Sequence, residues 1–313
     1  MCKNVSKNVK KLGIDMGNRT ICVAGLNEFN EIVKAYTNSV YSLDTALISG
    51  DVVTFNGLSL ALGVGQITLT NVDKTNREHL EHQILWSVYS IYGCGTHYID
   101  LGIGLPISIY KAKKEQYKDE IEKLGTLEGT INGKAISVNL TNVKIFAEGH
   151  ASIKTLANYI DKDNTTLLID IGMKTTDVLL LEYNGKFTIN KYATINIALY
   201  DIYKVLQDEI AQQGVEVSIE EIDKRINGNK PVIRTEKGDY NLVTNLKSTV
   251  HVCRDIMKDI ENKFGKTILH DKVFTGGGSE KFLNAVAGKI KNNIDIPTDM
   301  RYYSNSIGYL LGL

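Results

Sequence analysis

Ile14-Asp15-Met16-Gly17-Asn18-Arg19-Thr20 and Ile169-Asp170-Ile171-Gly172-Met173-Lys174-Thr175 are two copies of one pattern, I-D-x-G-x-[basic]-T. The aspartates stand 155 positions apart (170 − 15) in a chain of 313 residues. Each copy lies between apolar runs, which predicts two strands joined by a tight turn carrying a carboxylate and a glycine. An ordinary β-turn accounts for either copy alone. The pair, at half-length spacing, predicts a duplicated fold whose halves each offer a phosphate-facing loop to a shared cleft.

Working outward, residues 12–16, 21–26 and 32–36 read as three strands, with a polar turn over Asn27–Asn30. Residues 40–75 hold short β-like pieces at Val52–Phe55 and Leu60–Val64 and many glycines, and read as a small insertion outside the core. Leu80, Ile84, Leu85, Val88 and Ile91 recur at helical spacing, predicting a helix over 77–92. A buried strand over 98–105 ends at Pro106, and a charged helix spans 109–124. Asn132-Gly133 is a hairpin signal between 127–131 and 135–140. A strand over 143–147 then leads into a helix over 149–160.

Asp161-Lys162-Asp163-Asn164 marks the expected crossing, after which the order repeats. Strands are predicted over 167–171, 177–183 and 186–195. Helices follow around Ile202–Ile210 and Ile219–Ile226, then a small hairpin over 232–243 and a long helix over 246–264. A strand over 272–275 runs into Gly276-Gly277-Gly278-Ser279 and a helix. The chain closes on a short helix over 305–311. The expected fold class is α/β, as two domains flanking a nucleotide cleft. Domain I is 1–163, with an insertion at about 40–76 and the segment 303–313 returning to it. Domain II is 164–302, with an insertion at about 196–244.

Bulk chemistry narrows the function. Lys+Arg and Asp+Glu each number 36, so no global field draws the chain onto nucleic acid or anionic lipid. The four cysteines, Cys2, Cys22, Cys94 and Cys253, form no C-x-x-C pair, against a metal ribbon or disulfide scaffold. Lysines rather than an apolar run follow Met1, and no stretch nears the roughly 20 apolar residues of a membrane span. A cytoplasmic protein without direct nucleic-acid or membrane contact is expected.

The turns suit one chemistry. A carboxylate at a strand end suits Mg²⁺ held largely through water on nucleotide phosphates, which makes Asp15 and Asp170 the candidate metal residues. Gly17 and Gly172 let successive N–H groups face an anion. Thr20, Thr175 and Thr176 add hydroxyls, and Arg19 and Lys174 add charge. The third motif is Phe274-Thr275-Gly276-Gly277-Gly278-Ser279-Glu280-Lys281. Its glycines, between a strand and a helix N-terminus, leave room for a base or ribose against bare backbone.

Two D-x-G-x-x-T hairpins with V-F-T-G-G-G resemble the signature of the actin, Hsp70 and sugar-kinase superfamily. Phe146-Ala147-Glu148-Gly149-His150-Ala151 and Tyr303-Ser304-Asn305-Ser306-Ile307-Gly308 resemble its two connecting motifs. Within that superfamily the chain resembles the ParM-type plasmid-segregation actins. Lys74-Thr75-Asn76-Arg77 and Gly104-Leu105-Pro106 carry that narrower likeness.

The resemblance implies a duplicated actin-like (ribonuclease H-like) fold and hydrolysis of ATP or GTP with Mg²⁺. It implies Glu148 as the residue that orients or polarises water, with Asp15 and Asp170 completing the catalytic set and holding the metal shell. It implies phosphate contacts from Gly17, Asn18, Arg19 and Thr20, and from Gly172, Met173, Lys174, Thr175 and Thr176. Gly276, Gly277, Gly278 and Lys281 would border the nucleoside. Met173 departs from relatives that carry glycine there, placing a side chain where bare backbone otherwise approaches. The sequence does not assign the residue that reads the ribose; Lys204 and Asp208 are named for it without a motif behind them.

The implied partners are further copies of the chain, as a filament, and a DNA-binding adaptor on a plasmid centromere. The alternatives on the same fold are a sugar or acid kinase, or another bacterial actin-like cytoskeletal ATPase. His79 and His82 read as a solvated helix face rather than a zinc site, and the charged run 111–123 as a solvent face.

Overall fold

In the computed structural model, residues 8–45, 50–65, 74–228, 230–286 and 288–313 are described. The start of the chain and parts of the expected insertion, 46–49 and 66–73, lie outside them. The chain divides into two compact units, Met1–Ala157 with Tyr303–Leu313, and Asn158–Tyr302.

The first unit opens with β1 (Val9–Met16), β2 (Thr20–Leu26) and β3 (Ile32–Asn38), an antiparallel meander joined by the first D-x-G turn. β4 (Tyr41–Ser42), β5 (Asp51–Phe55) and β6 (Leu58–Leu62) follow, then a 3-10 turn over Lys74–Asn76 and α1 (Leu80–Tyr92). β7 (Gly95–Leu105), α2 (Ile107–Glu122), β8 (Thr126–Ile131), β9 (Lys134–Ala147) and the single turn α3 (Ser152–Leu156) complete this stretch. The strands join in one sheet, ordered β3-β2-β1-β7-β9-β8-β5-β6-β4. β1, β7 and β9 are parallel neighbours at its centre. They carry continuous apolar runs, as strands covered on both faces do: Leu12, Ile14, Leu101, Ile103 and Leu105 are fully buried. Each such side chain contributes about 1.5–3 kcal/mol relative to exposure.

The second unit repeats the opening. β10 (Thr166–Ile171), β11 (Thr176–Tyr183) and β12 (Phe187–Ile195) form the same meander around the second turn. Then come α4 (Leu199–Ala211), α5 (Ile219–Asn227), the hairpin β13 (Val232–Thr235) and β14 (Gly238–Asn241), α6 (Leu242–Asn245) and α7 (Val250–Phe264). β15 (Asp271–Thr275), α8 (Ser279–Val286) and α9 (Thr298–Gly312) end the chain, the unit boundary falling within α9. The sheet order is β12-β11-β10-β15, with β15 parallel to β10 as β7 is to β1. The four-strand arrangement β3-β2-β1-β7 is thus made twice.

Several boundaries differ from the sequence reading, each for a tertiary reason. The segment read as an insertion outside the core supplies Val53 and Leu62 to it, because β5 pairs with β8 and extends the sheet. The two strands expected over 135–147 are one: β9 absorbs a bulge opposite Ile99 and Asp100, where Thr141 Oγ1 donates to Asp100 Oδ1 at 2.7 Å. The helix expected over 149–160 shrinks to five residues. Gly149 there has φ 72° and gives its N–H to Asn305 Oδ1 at 2.9 Å, outside any helical ladder. The long helix expected over 246–264 begins only at Val250, after a 3-10 turn.

Candidate functional site

The two D-x-G turns are built alike, residue for residue. Met16 faces Ile21 across the first hairpin and Ile171 faces Thr176 across the second. Gly17 N–H donates to the Thr20 carbonyl at 2.9 Å, and Gly172 N–H to the Thr175 carbonyl at 2.9 Å. A Cβ on Gly17 would lie 2.8 Å from the Thr20 oxygen, and one on Gly172 3.1 Å from that of Thr175. Closure of the turn thus excludes a Cβ at Gly17, and at Gly172 it admits one only if the Thr175 carbonyl yields by a few tenths of an ångström. Asp15 and Asp170 sit half-buried at the strand ends one residue before each tip.

In the first unit the turn is braced from outside. Arg77 donates Nη1 to the Met16 carbonyl at 2.9 Å and Nη2 to the Gly17 carbonyl at 3.0 Å, a planar fork across the tip. Ser39 Oγ donates to the same Gly17 carbonyl at 2.6 Å. Ser39 N–H reaches the carbonyl of Arg19, whose side chain is buried, at 2.7 Å. Asn18 and Thr20 remain half-exposed.

Glu148 lies at the end of β9, its N–H held by the Leu105 carbonyl at 2.9 Å. Lys74 Nζ stands 2.5 Å from Glu148 Oε1 and 3.8 Å from Asp15 Oδ1, with all three side chains largely buried. Burial alone would lower the Lys74 ammonium, but the Glu148 and Asp15 carboxylates outweigh it and hold the group above its ordinary value. Burial lowers the Arg77 guanidinium, although Tyr117, Asp15 and Glu148 oppose the shift. Asn305 on α9 joins the group, its Nδ2 3.4 Å from Asp15 Oδ2. The first unit therefore gathers Asp15, Lys74, Arg77, Glu148 and Asn305.

The second unit holds its turn differently. The carbonyls of Gly172 and Met173 accept N–H groups of Leu199 and Tyr200 at 3.3 and 2.9 Å. The N-terminus of α4 thereby ties down the tip, and Asp201 satisfies the Ala198 N–H at 2.8 Å. Met173 buries its side chain, so the departure from glycine points into the core, while Lys174 and Thr175 stay half-exposed. Thr176 is directed inward too, Oγ1 donating to the Ile197 carbonyl at 2.8 Å.

The triple-glycine motif packs onto this turn. Gly278 N–H donates to the Ile171 carbonyl at 2.8 Å. Gly276, at φ 83°, approaches so closely that a Cβ would stand 2.2 Å from Asp170 Oδ1. At Gly276 and Gly278 the missing side chains are required by contact with Asp170 and Ile171, and Gly277 between them is half-exposed. Thr275 Oγ1 beside them is buried without a protein partner. Lys281 turns to Glu280 Oε2 at 3.0 Å and Tyr302 OH at 3.3 Å. Lys204 and Asp208 pair with each other on an exposed helix face at 2.8 Å.

The donor set fits a phosphate-bound cation better than a protein-caged one. Among the described residues no group of three or more His, Cys, Asp or Glu side chains converges on one point. Asp15 nevertheless has a cation beside it already, the Lys74 ammonium. Lys74 and Arg77 were not among the site residues expected from sequence; K-T-N-R marked their segment only as a family likeness.

Comparison with known proteins agrees with the repeated architecture. Residues 13–150 match the family model for the N-terminal domain of actin-like proteins, and residues 168–288 that for the C-terminal domain of the archaeal MreB-like actin homologue. Among solved structures, an archaeal actin homologue in complex with ADP superposes with TM-score 0.76 at 16% identity, covering 97% of this chain and 98% of its own. A ParM filament from Clostridium botulinum gives 0.70 at 18% identity, covering 97% and 99%. ParM from Bacillus thuringiensis with ATP gives 0.68 at 15% identity, covering 98% of each chain. No curated protein sequence matches the chain.

Proposed function

Because this chain is a member of the actin-like superfamily resembling ParM, we propose that it binds and hydrolyses ATP or GTP with Mg²⁺ and polymerises in response. The observation that carries the proposal is the pair of D-x-G turns in matching register, each closed by the same glycine-to-threonine bond and each presenting an aspartate beside its tip. Carboxylates at matching positions beside the two tips suit a metal shell on polyphosphate.

On this reading Gly17, Asn18, Arg19 and Thr20 contact phosphate from one turn, and Gly172 to Thr176 from the other. Of the latter, Lys174 and Thr175 have the exposure to do so by side chain, while Met173 and Thr176 contribute backbone. Gly276, Gly277 and Gly278 border the nucleoside. Lys281 shapes that border from behind, through Glu280 and Tyr302. Glu148 orients the attacking water, its backbone fixed at the strand end. Asp15 and Asp170 hold Mg²⁺ through water, and the ion supplies neutralisation of phosphate charge.

The relatives support assembly as the output: one is a filament, and others hold ADP or ATP. We extend the reading to DNA segregation through an adaptor, consistent with a formal net charge of zero that gives no general affinity for DNA. Sedimentation and electron microscopy with Mg-ATP, Mg-GTP and no nucleotide provide the test. Nucleotide-dependent filaments are expected. A chain that stays monomeric at every concentration with either nucleotide overturns the proposal. Release of ADP that depends on an added sugar or acid would favour a kinase instead.

A further inference from the structure

Lys74 is an expensive residue to place where it stands. An ammonium is strongly hydrated, and burying it costs several kcal/mol unless close carboxylates compensate. Here they do: Glu148 at 2.5 Å and Asp15 at 3.8 Å, the two acidic groups this unit offers to a nucleotide. Those carboxylates are themselves costly neighbours without a cation between them. Arg77, three residues on, brings a second cation to the same aspartate's turn but spends its fork on backbone carbonyls. The Lys74 ammonium faces both carboxylates, from a short 3-10 turn and on a flexible four-carbon stem.

We propose that Lys74 is a tethered cation: its ammonium stands beside Asp15, where the metal shell would draw on the same carboxylate, and the nucleotide enters as its metal complex and displaces the ammonium onto the phosphates. The proposal rests on the nucleotide reading above. An ammonium and a hydrated divalent ion compete for the Asp15 carboxylate, and Arg77 already adds positive charge to the same turn. The exchange keeps the carboxylates paired in both states. It also makes the bare metal a poor ligand and the metal–nucleotide complex a good one, because only the complex brings an anionic partner for the released ammonium. Lys74 is thus a positioning residue that sets the form in which nucleotide binds.

The test is Mn²⁺ binding to the nucleotide-free protein, read from the electron paramagnetic resonance signal of free Mn²⁺. Lys74→Met, which keeps the stem and removes the charge, should bind Mn²⁺ about tenfold or more tightly than wild type, as expected for deleting a cation a few ångströms from the ion. Lys74→Arg, which restores a charge, should behave as wild type. Because Lys74→Met strands two buried carboxylates, the comparison is repeated in a Glu148→Gln background. There the double variant should still bind Mn²⁺ more tightly than Glu148→Gln alone, by a smaller factor. Unchanged or weaker Mn²⁺ binding on removing the Lys74 charge, in whichever background folds, overturns the proposal. A fluorescent ADP analogue titrated into the same samples separates the two claims. Normal nucleotide binding with unaltered Mn²⁺ affinity sinks only the tethered cation; no nucleotide binding by wild type sinks the reading beneath it.

Discussion

Gly276 meets Asp170 so closely that any Cβ would overlap the carboxylate, and its φ of 83° is one that other residues adopt only under strain. Gly276→Ala should therefore lower the stability of the second unit by about 1–3 kcal/mol in urea melts, and push Asp170 out of place. A variant as stable as wild type would contradict the described contact. Arg77 makes the complementary case. Arg77→Lys keeps a charge but loses the fork on Met16 and Gly17, which should cost about 1.5–3 kcal/mol; a loss below 0.5 kcal/mol, about the scale of a surface change, would show the bracing to be idle. His82 supplies a pH dependence. Burial holds its imidazole below the ordinary value, against the opposing bond to the Leu58 carbonyl. The unfolded chain thus takes up the proton first as pH falls below about 6.5. Stability present at neutral pH is lost on acidification, and His82→Gln should show a shallower loss between about pH 7.5 and 5.5; equal slopes would contradict it. The turns at Gly17 and Gly172 were legible because a turn is a local object. The roles of Lys74 and Arg77 were not, because their partners lie 74, 61 and 60 residues away in sequence.

At the scale of elements, strands with strong apolar runs were readable and helix ends were not. β1, β2, β10 and β11 carry their own signal in alternation and turn chemistry. The length of α3 depends instead on Asn305, over 150 positions away, which claims the Gly149 amide: their separation is 156. The same distance problem hid the place of β5 and β6, whose apolar residues become core only once β8 lies alongside. α9 shows how tightly remote elements are fitted. A Cβ on Gly13 of β1 would stand 2.1 Å from the Ser306 carbonyl oxygen, and one on Gly308 2.1 Å from that of Ala151. Since both obstacles are backbone, Gly13→Ala or Gly308→Ala must shift α9 bodily. Each should cost at least about 1–3 kcal/mol in the first unit and loosen Asn305 from Asp15. Urea melts near the wild-type midpoint would show that α9 does not pack as described.

At the scale of the molecule, duplication is the central fact. One four-strand arrangement with one turn is made twice, yet the two copies are secured by different means. Arg77 and Ser39 brace the first; the N-terminus of α4 and the triple-glycine motif brace the second. On the proposed function, each turn contacts bound nucleotide. Calorimetric titration of the whole chain with Mg-ATP, and with a non-hydrolysable analogue, tests it most directly. The predicted result is one nucleotide per chain, with Asp15→Ala and Asp170→Ala each weakening binding about tenfold or more, the scale of a lost charged contact. Two nucleotides per chain, or either variant binding as wild type does, would contradict it.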